Sequence, residues 1–557
     1  MTDETILKFV LQNSVKFNGK PNVGAIVGKI VSENPVWKDK IGELQKEIRN
    51  CMMDLEEKSI DEQKEMLLSL APELLEKKKQ EERDMFSFFE IKEGEKIITT
   101  FPPEPSKYIH IGHAKAMVLN FLLAKQFGGT FVLRFDDTNP KLVKKQFYGL
   151  MLKDIAWLGI THESLEYASD HMEKFYELAE QLIIKGNAYM CMCELEKIRK
   201  NRFSGIPCEH RDHEPERNLK LWYEMTAAEE GSMLLRLKID LKHQNTTMRD
   251  PAIFRIINET HPRLGTTYVV WPTYDFETTI MDSLQKITHR LRSKEFELRS
   301  ELQKYIQRLL GFPITQTYEF ARFNLVGVES SGRIIREKIK NKELVGWDDP
   351  SLTTLVALKR RGFLPEAIKD FLLTTGITKT ESTITWDALY TANKKYVDKT
   401  ANRYFFVENP VEITIHNAPE RDVELHVHPE FPERGVRKFH THEKFYLAKK
   451  DVDELANGEL YRLMDCINFR KEKGKYLFDS IDYKNFKEKG KKIMHYLPQG
   501  IVTKIEVLLP DKTVCKGYGE MDLMHLSQET VCQLERFGFC KLDKKENNEL
   551  FFWFTHK

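Results

Sequence analysis

One run of residues constrains this chain more than any other. It occupies positions 101–116 and reads Phe-Pro-Pro-Glu-Pro-Ser-Lys-Tyr-Ile-His-Ile-Gly-His-Ala-Lys-Ala. A β-prone segment, residues 96–100, precedes it, and an apolar segment with helical character, residues 117–127, follows it. A strand that passes into a helix is the repeating unit of α/β folds. The sequence therefore predicts an α/β domain with a strand-to-helix crossing here, which is a common site for nucleotides.

The crossing carries two histidines, His110 and His113, on either side of Gly112. A helix N-terminus presents unpaired N–H groups and the positive end of the helix dipole, and both favour phosphate oxygens. The imidazoles can donate hydrogen bonds to charge that builds on a phosphoryl group, while a residue without Cβ lets a planar base lie against the backbone. Taken alone, a His-x-x-His tetrapeptide is equally compatible with a surface accident or a metal pair.

The run resembles the first signature (the HIGH motif) of class I aminoacyl-tRNA synthetases, in the form used by glutamyl- and glutaminyl-tRNA synthetases. Similar segments follow in the expected order at residues 131–140, 248–251, 271–276, 287–294 and 346–350. The similarity extends from the N-terminus to Lys557 and is most like the archaeal and eukaryotic type. It implies a Rossmann-like catalytic domain, helical N-terminal and stem-contact regions, and C-terminal all-β barrels that hold the anticodon.

The texture of the chain changes along its length, and 557 residues are too many for one core. Residues 1–90 are helical in pattern and end in a charge run, 75–83, that we expect to be a solvated helix face or a linker. A strand at 267–270 is expected to resume the catalytic sheet. We expect a helical extension (1–93), a first catalytic half (94–187), an acceptor-end insertion (188–262), a second catalytic half (263–322), a helical stem-contact domain (323–402) and anticodon-binding barrels (403–557).

Composition excludes little. Lys plus Arg number 86 and Asp plus Glu 85, so net charge neither indicates nor excludes a nucleic-acid partner. No apolar run approaches the length of a membrane span, and the first residues do not resemble a secretory signal. We expect a soluble cytoplasmic protein without a membrane partner, and the family resemblance implies a monomer.

One group of cysteines has the composition of a metal site. Cys191, Cys193 and Cys208 are followed by His210, and three thiolates with an imidazole are the ligand set of a closed tetrahedral zinc site. His213 could replace His210, and unlinked thiols on a basic helix and loop are the alternative. Synthetases that the chain resembles often carry such a site in their insertion, which favours structural Zn²⁺.

The resemblance also implies the reaction: adenylation of an amino acid by ATP, with Mg²⁺ as counterion to the phosphates, and transfer to tRNA. It assigns catalytic roles to His110 and His113. Asp136 matches the carboxylate that holds the substrate ammonium group, and Tyr274 matches the tyrosine lining the side-chain pocket, although an N-cap aspartate and a core tyrosine are the plainer interpretations. The ATP-binding residues are expected to be Pro103, Glu104, Pro105, Ser106, Ile111 and Gly112.

Arg292 separates the two sister activities. Glutamyl enzymes resemble one another in having arginine here, whereas glutaminyl enzymes carry a small uncharged residue. A guanidinium pairs with a carboxylate in bidentate fashion, and an amide would leave donors and charge unmatched. We therefore predict glutamate as substrate and tRNA(Glu) as acceptor, although a surface cation is also possible. Whether tRNA(Gln) is charged too stays open.

Three positions depart from the pattern of the family. Thr100 stands where an arginine usually grips the amino acid, and Lys107 stands where glycine is usual. The second class signature, a lysine-bearing loop, survives only as Val-Glu-Ser-Ser-Gly-Arg at residues 328–333, so Arg333, Arg336 or Lys338 would have to supply its charge.

Two other functions therefore stay open: an inactive paralogue that binds tRNA as a regulator, and a glutaminyl-tRNA synthetase. In the anticodon region, basic and aromatic residues could pair with phosphates and stack on bases, with solvated surface as the alternative. The residues considered there are Arg434, Arg437, Lys438 and His440.

Overall fold

The computed structural model describes residues 3–17, 19, 21–33, 37, 40–55, 58–74, 85–329, 331–500 and 502–557. The chain forms two compact units, residues 1–90 and 91–557. The charge run expected at 75–83 lies outside the described residues. No described helix combines the length and apolar character that a membrane crossing requires.

The first unit is helical. Its buried face is apolar, with Phe9, Ile26 and Ile48 in one cluster. The last helix begins with a capping box, in which Ser59 and Glu62 satisfy each other's backbone N–H groups. The helices are α1 (Asp3–Lys16), α2 (Val23–Glu33), α3 (Ile41–Leu55) and α4 (Ile60–Leu70).

The second unit begins with the predicted α/β crossing. Strands β1 (Ile98–Phe101), β2 (Thr130–Phe135) and β3 (Ser164–Tyr167) form a parallel sheet in that order. The helices between and after them are α5 (Ile111–Gln126), α6 (Lys145–Trp157) and α7 (Met172–Ile184). The apolar run at 131–133 lies in β2 and is buried, as expected of a strand covered by helices on both faces.

An antiparallel sheet follows. It is built from β4 (Ala188–Cys191), β5 (Leu234–Leu237), β6 (Ala252–Ile256) and β7 (Val270–Pro272), with helices α8 (Leu195–Ser204) and α9 (Pro215–Glu224) between the first two strands. The expectation that residues 267–270 resume the catalytic sheet was wrong, because β7 pairs with β6 instead. The parallel strand that returns is β8 (His289–Ser293): Thr288 just before it exchanges hydrogen bonds with Ile98 at the start of β1.

Helices dominate between β7 and residue 400. The elements are α10 (Tyr274–Leu284), β8, α11 (Glu297–Leu310), β9 (Gln316–Phe320), β10 (Phe323–Leu325), α12 (Gly332–Lys340), α13 (Leu355–Arg361), α14 (Pro365–Thr374), β11 (Ser382–Ile384) and α15 (Trp386–Thr400). Strand β9 pairs in parallel with β8. The fully buried Arg361 donates to the carbonyl oxygens of Pro350 (3.1 Å) and Thr555 (2.8 Å) and so ties this region to the C-terminal strand.

The described residues of the C-terminal region are mainly β-strands, as predicted, with two short α-helices and two 3-10 turns between them. Its strands are β12 (Arg403–Tyr404), β13 (Phe406–Glu408), β14 (Pro410–His416), β15 (Arg421–His426), β16 (Val436–Thr441), β17 (Lys444–Ala448), β18 (Leu460–Leu463), β19 (Asn468–Glu472), β20 (Lys475–Ser480), β21 (Gly490–Met494), β22 (Leu497–Pro498), β23 (Val502–Leu508), β24 (Val514–Glu520), β25 (Val531–Leu534), β26 (Gly538–Glu546) and β27 (Glu549–His556). The helices are α16 (Lys449–Asp453) and α17 (Tyr483–Lys489). Two seven-stranded sheets, ordered β12-β25-β26-β27-β23-β24-β13 and β21-β18-β19-β20-β14-β17-β22, carry most of these strands.

Candidate active site

The two histidines of the signature lock each other at the start of α5. His110 is the N-cap residue, and its Nδ1 accepts from the N–H groups of Gly112 (3.1 Å) and His113 (3.4 Å). Nδ1 of His113 accepts in return from the N–H of His110 (3.4 Å), and the two rings stack with centroids 3.7 Å apart. Because both Nδ1 atoms are acceptors, each neutral ring carries its proton on Nε2. The helix mouth therefore holds two oriented N–H donors.

Both imidazoles are neutral at physiological pH. Burial, joined by the charges of Lys107 and Arg322, lowers the pKa of His110 to about 3. Burial likewise holds the pKa of His113 well below its ordinary value, with contributions from His110 and the same two cations. The mouth of α5 thus combines uncharged donors with nearby positive charge, an arrangement suited to a polyphosphate.

The residues before the helix are anchored to the end of β2 and to the start of α6. The carbonyl oxygen of Pro103 accepts from the N–H of Asp136 (3.2 Å), and that of Pro105 accepts from the N–H of Lys144 (3.0 Å). Ser106 donates from its hydroxyl to Glu104 (2.7 Å), and burial raises the pKa of that carboxyl against this hydrogen bond. Four of the expected ATP-binding residues, 103–106, thus lie on the stretch that connects β1 to α5, and Ile111 and Gly112 lie in the first turn of α5.

The second signature lies against the first. Lys107, His110, Glu329, Gly332 and Thr354 line one small cavity between the mouth of α5 and the start of α12. The backbone that closes the cavity is fixed, since the N–H of Ile111 donates to the carbonyl oxygen of Thr353 (3.0 Å). Arg333 and Arg336 are exposed on the first turns of α12, and Lys338 is half-buried.

Asp136 lies at the carboxyl end of β2, where it pairs with Arg134. Arg134 is fully buried and donates from Nε to Asp136 (2.6 Å) and from Nη1 to Asp282 (2.9 Å). A third bond, to the hydroxyl of Thr278 (2.9 Å), reaches α10. Arg134 therefore holds the carboxylate proposed for the substrate ammonium group in one position against the helix that covers this face of the sheet.

The same network continues to Arg292. Arg290, two residues earlier on β8, donates to Asp282 (2.8 Å) and to Thr278 (2.9 Å). Arg292 is 5% exposed, so it does not point to solvent, and its Nη1 donates to Gln303 (2.7 Å). Its other contacts are Ser300 and, at 3.6 Å from Nε, the carboxylate of Glu319.

Two features of Arg292 bear on ligand binding. Burial, with the neighbouring charge of Arg290, lowers its pKa, while Tyr274 and Glu319 act in the opposite direction. Its Nε is buried and lacks a hydrogen-bond partner among the described residues. This Nε faces the Glu319 carboxylate at 3.6 Å without a hydrogen bond, so a ligand carboxylate that bound here would share the guanidinium with Glu319.

Tyr274 is the first residue of α10 and lies near Arg290 and Arg292. Its ring lies 5.6 Å from that of Phe296 and 5.7 Å from the guanidinium carbon of Arg299. It lies close enough to Arg290 and Arg292 to favour a higher pKa for both guanidinium groups. Tyr274, Asp136 and Arg292 thus lie around one group of buried arginines, Arg134, Arg290 and Arg292 itself.

Thr100, the departure on β1, is fully buried, and its hydroxyl has no hydrogen-bond partner in the described part of the chain. The preceding residue, Thr99, bonds to the carbonyl oxygen of Asn120 on α5. Because side chains alternate along a strand, Thr100 faces away from α5. Threonine is uncharged, so this position offers no cation to a carboxylate of the amino-acid substrate.

The three cysteines and His210 come together as predicted from their spacing. Their ligand atoms all lie within 4.8 Å of one another. Sγ of Cys191 lies 3.9 Å from Sγ of Cys208, and Sγ of Cys193 lies 3.4 Å from Nδ1 of His210. Sulfurs bound to one tetrahedral zinc ion are about 3.8 Å apart, which follows from a bond length of about 2.3 Å. The donor set and its spacing fit Zn²⁺, and His213 is not part of the group.

The basic residues singled out in the C-terminal region do not share one role. Arg437 is 2% exposed and pairs with Glu520 and, at 2.9 Å, with Glu535, so the expectation that it meets RNA phosphates was wrong. Lys438 is exposed and lies 2.6 Å from Glu424, and His440 lies 2.8 Å from Asp422. Arg434 is exposed and donates to carbonyl oxygens at the end of α15.

Several groups around the site were missed at the level of sequence. Arg322 affects both histidines although it lies far along the chain, and no local pattern indicates this. Arg134 could have been found, because an arginine inside the apolar run 131–135 indicates a buried and paired charge. Glu277 is buried beside the same network. Burial, with a smaller contribution from Asp136, raises the pKa of its carboxyl well above the ordinary value.

Comparison with known proteins places these residues in context. A family model described as tRNA synthetases class I (E and Q), catalytic domain, matches residues 96–399, and one for the anti-codon binding domain of those synthetases matches 401–483. A glutamate–tRNA ligase of Pyrococcus abyssi is 38% identical over 99% of this chain and 99% of its own. That of Methanocaldococcus jannaschii is 36% identical over 100% of both. The crystal structure of a glutamate tRNA ligase from Elizabethkingia meningosepticum in complex with its amino acid covers 55% of this chain and 71% of its own, with 17% identity and a TM-score of 0.42.

Proposed function

Since this chain belongs to the class I tRNA synthetases of the E and Q group, we propose that it is a glutamate–tRNA ligase. It activates glutamate with ATP and transfers it to the 3′ end of tRNA(Glu). Relatives named for this activity match the chain from end to end. The structural observation that carries the proposal is the buried guanidinium of Arg292, with one donor open, in the same charge network as Asp136.

The first step is an in-line displacement. An oxygen of the α-carboxylate of glutamate forms a bond to the α-phosphorus of ATP. The bond from that phosphorus to the oxygen that bridges it to the β-phosphorus breaks, and pyrophosphate leaves with the electron pair. Such a reaction needs positioning and charge stabilisation rather than a general base. We assign the Nε2–H donors of His110 and His113 to the phosphates, and Arg333 to the departing pyrophosphate. Magnesium supplies counter-charge to the phosphates when ATP is bound.

Substrate selection follows from the interior network. Asp136 receives the ammonium group, Tyr274 lines the pocket, and Arg292 pairs with the side-chain carboxylate of glutamate. The amide group of glutamine brings no negative charge and would turn N–H donors toward the donors of the guanidinium in a buried place, which costs much more than the loss of a contact in water. This favours the glutamate activity over a glutaminyl-tRNA synthetase.

The test is transfer of labelled amino acid to tRNA. The purified protein is incubated with ATP, Mg²⁺, total tRNA and either glutamate or glutamine. We expect glutamate to be transferred and glutamine not. Transfer of glutamine would reverse the substrate assignment, and transfer of neither would support the paralogue that binds tRNA without activating an amino acid. Transcripts of tRNA(Glu) and tRNA(Gln) tested separately decide whether both acceptors are used.

We also propose a structural zinc ion held by Cys191, Cys193, Cys208 and His210. The guanidinium of Arg236 lies 3.6 Å from Sγ of Cys191, and its charge would offset the net negative charge of a site with three thiolates. Elemental analysis should find one zinc per chain. A Cys193→Ser variant should lose the metal and melt at lower temperature, whereas Cys515→Ser, outside the cluster, should keep it. A wild-type protein with no zinc after gentle purification would contradict the proposal.

The remaining assignments are proposals on the same basis. We keep the division of the chain at 93, 187, 262, 322 and 402, with the acceptor end of tRNA at the insertion and the anticodon at the β region. We propose a cytoplasmic monomer. Size-exclusion chromatography with light scattering tests the monomer, and cell fractionation tests the location.

A further inference from the structure

The starting observation is that two departures from the family pattern lie together in space. Residues 328–333 resemble the lysine-bearing loop of the family but contain no lysine. Lys107 stands in the first signature where glycine is usual. A Cβ built on Gly332 would lie 3.1 Å from Cδ of Lys107 and 3.9 Å from its Nζ. The side chain of Lys107 therefore occupies the space into which a side chain at position 332 would extend.

We propose that Lys107 is the main cation that stabilises the departing pyrophosphate, in place of a lysine on the loop at 328–333, and that the exposed Arg333 adds to it. This inference rests on the proposed function and names a further phosphate-binding residue for it. The charge has moved from the start of α12 to the stretch before α5, while its position in space is kept.

The position of Lys107 suits an anionic ligand. It shares a cavity with His110, whose Nε2–H donor belongs to the helix mouth, and with Gly332 at the start of α12. Its charge acts on both imidazoles, so its ammonium lies close to the group assigned to the phosphates. It contributes the long flexible stem and point charge that make lysine a common phosphate ligand.

The ammonium is also available. No carboxylate of the described chain lies within ion-pair distance of it; Glu104 acts on it only from further away. Burial and the charges of Arg336 and Arg322 lower its pKa, so binding an anion would relieve an unfavourable environment. By contrast, Arg333 is exposed on α12, which makes it the less enclosed of the two cations.

The main test compares Lys107→Met with wild type in ATP–pyrophosphate exchange, with glutamate and tRNA present. Loss of a group that acts on leaving-group charge should lower kcat about 10²-fold. The KM for glutamate should stay within about twofold, because binding of the amino acid is untouched. Inhibition of tRNA aminoacylation by added pyrophosphate should weaken, because the cation that binds pyrophosphate is gone. Lys107→Arg keeps the charge and should recover much of the rate. Lys153→Met, an exposed lysine on α6, is the matched control and should behave as wild type.

A reciprocal exchange makes the test stringent. Lys107→Gly should lose activity like Lys107→Met, and Gly332→Lys alone should crowd two like charges into one space. The double variant Lys107→Gly/Gly332→Lys returns one lysine to that space and should be at least about tenfold faster than Lys107→Gly, since the two positions are coupled. Thermal melting and tRNA binding of each variant identify any that fail to fold. If a single variant fails to fold, the inference is judged on the rates of Lys107→Arg and of the double variant.

The outcomes separate the inference from the function beneath it. If wild type transfers no glutamate to tRNA, the proposed function fails and the role of Lys107 fails with it. If wild type is active and Lys107→Met, correctly folded, stays within twofold in kcat, the inference alone is overturned. The same holds if Arg333→Met loses the rate and Lys107→Met does not.

Discussion

The mouth of α5 and the charge network beneath α10 use polar groups in opposite ways. At the mouth, the neutral imidazole of His110 and the ammonium of Lys107 face a cavity, and no described carboxylate lies within ion-pair distance of that ammonium. In the network, Arg134 and Arg290 are buried and fully engaged with Asp136, Asp282 and Thr278. Open donors are available to a ligand but add little to folding, whereas paired buried charges fix the backbone and are costly to break. The first region should therefore be sensitive in catalysis and the second in stability.

The largest effect is expected from Arg134→Met. Removal of this guanidinium leaves Asp136 buried without its partner and Asp282 with Arg290 alone, which should cost about 3–5 kcal/mol in the free energy of unfolding. Chemical denaturation measures it. Lys174→Met, which breaks an exposed pair with Glu177, is the control and should change stability by less than about 0.5 kcal/mol. An Arg134 variant as stable as the control would remove the distinction between the two regions.

His110→Asn tests the opposite behaviour at the helix mouth. Asparagine is a good N-cap and keeps an acceptor for the first N–H groups, but it lacks the donor at Nε2. We expect kcat for ATP–pyrophosphate exchange to fall about 10²–10³-fold with little change in melting temperature. His110→Ala should lose the rate and also about 1 kcal/mol of stability, because the cap is gone. A stability loss without a rate loss in His110→Asn would mean that the ring is structural.

Arg292 lies between the two behaviours, since its Nε is within ion-pair distance of Glu319 but makes no hydrogen bond among the described residues. Arg292→Gln should lower kcat/KM for glutamate about 10²-fold and narrow its advantage over glutamine. The variant Arg292→Gln/Glu319→Gln removes both charges and should regain stability without regaining selectivity. Selectivity restored in the double variant would indicate that Arg292 acts only through folding.

The smallest expected effect is on the pH dependence of stability. The pKa of His110 is about 3 in the folded chain and about 6.5 when unfolded. Between these values the unfolded state binds more protons, so the contribution is present above pH 6.5 and is lost as pH falls toward 3. The difference in unfolding free energy between pH 7 and pH 5 should shrink by up to about 2 kcal/mol in His110→Asn. An unchanged difference would indicate that the ring is protonated in the fold.

Local patterns were enough to find β1, α5 and β2, because the relevant contacts lie within a few residues. The cysteine cluster was found in the same way, since candidate thiol and imidazole ligands can be identified from residue type and spacing in the sequence. The strand at 270–272 was misplaced for the converse reason: β-propensity does not specify a partner, and register with β6 decides the sheet to which it belongs. Arg437 was misjudged because exposure depends on Glu520 and Glu535, which are distant in sequence.

By itself the sequence determined the α/β class, the helix mouth with its two histidines, the candidate metal ligands and the arginine proposed to distinguish glutamate from glutamine. These depend on residue type and short spacing, which the chain carries with it. Only the tertiary structure decided which charges are paired, that Arg134 joins Asp136 to α10, and that Lys107 fills the space beside Gly332. Electrostatic energies depend on distance and burial, and both are set by segments that meet only when the chain has folded.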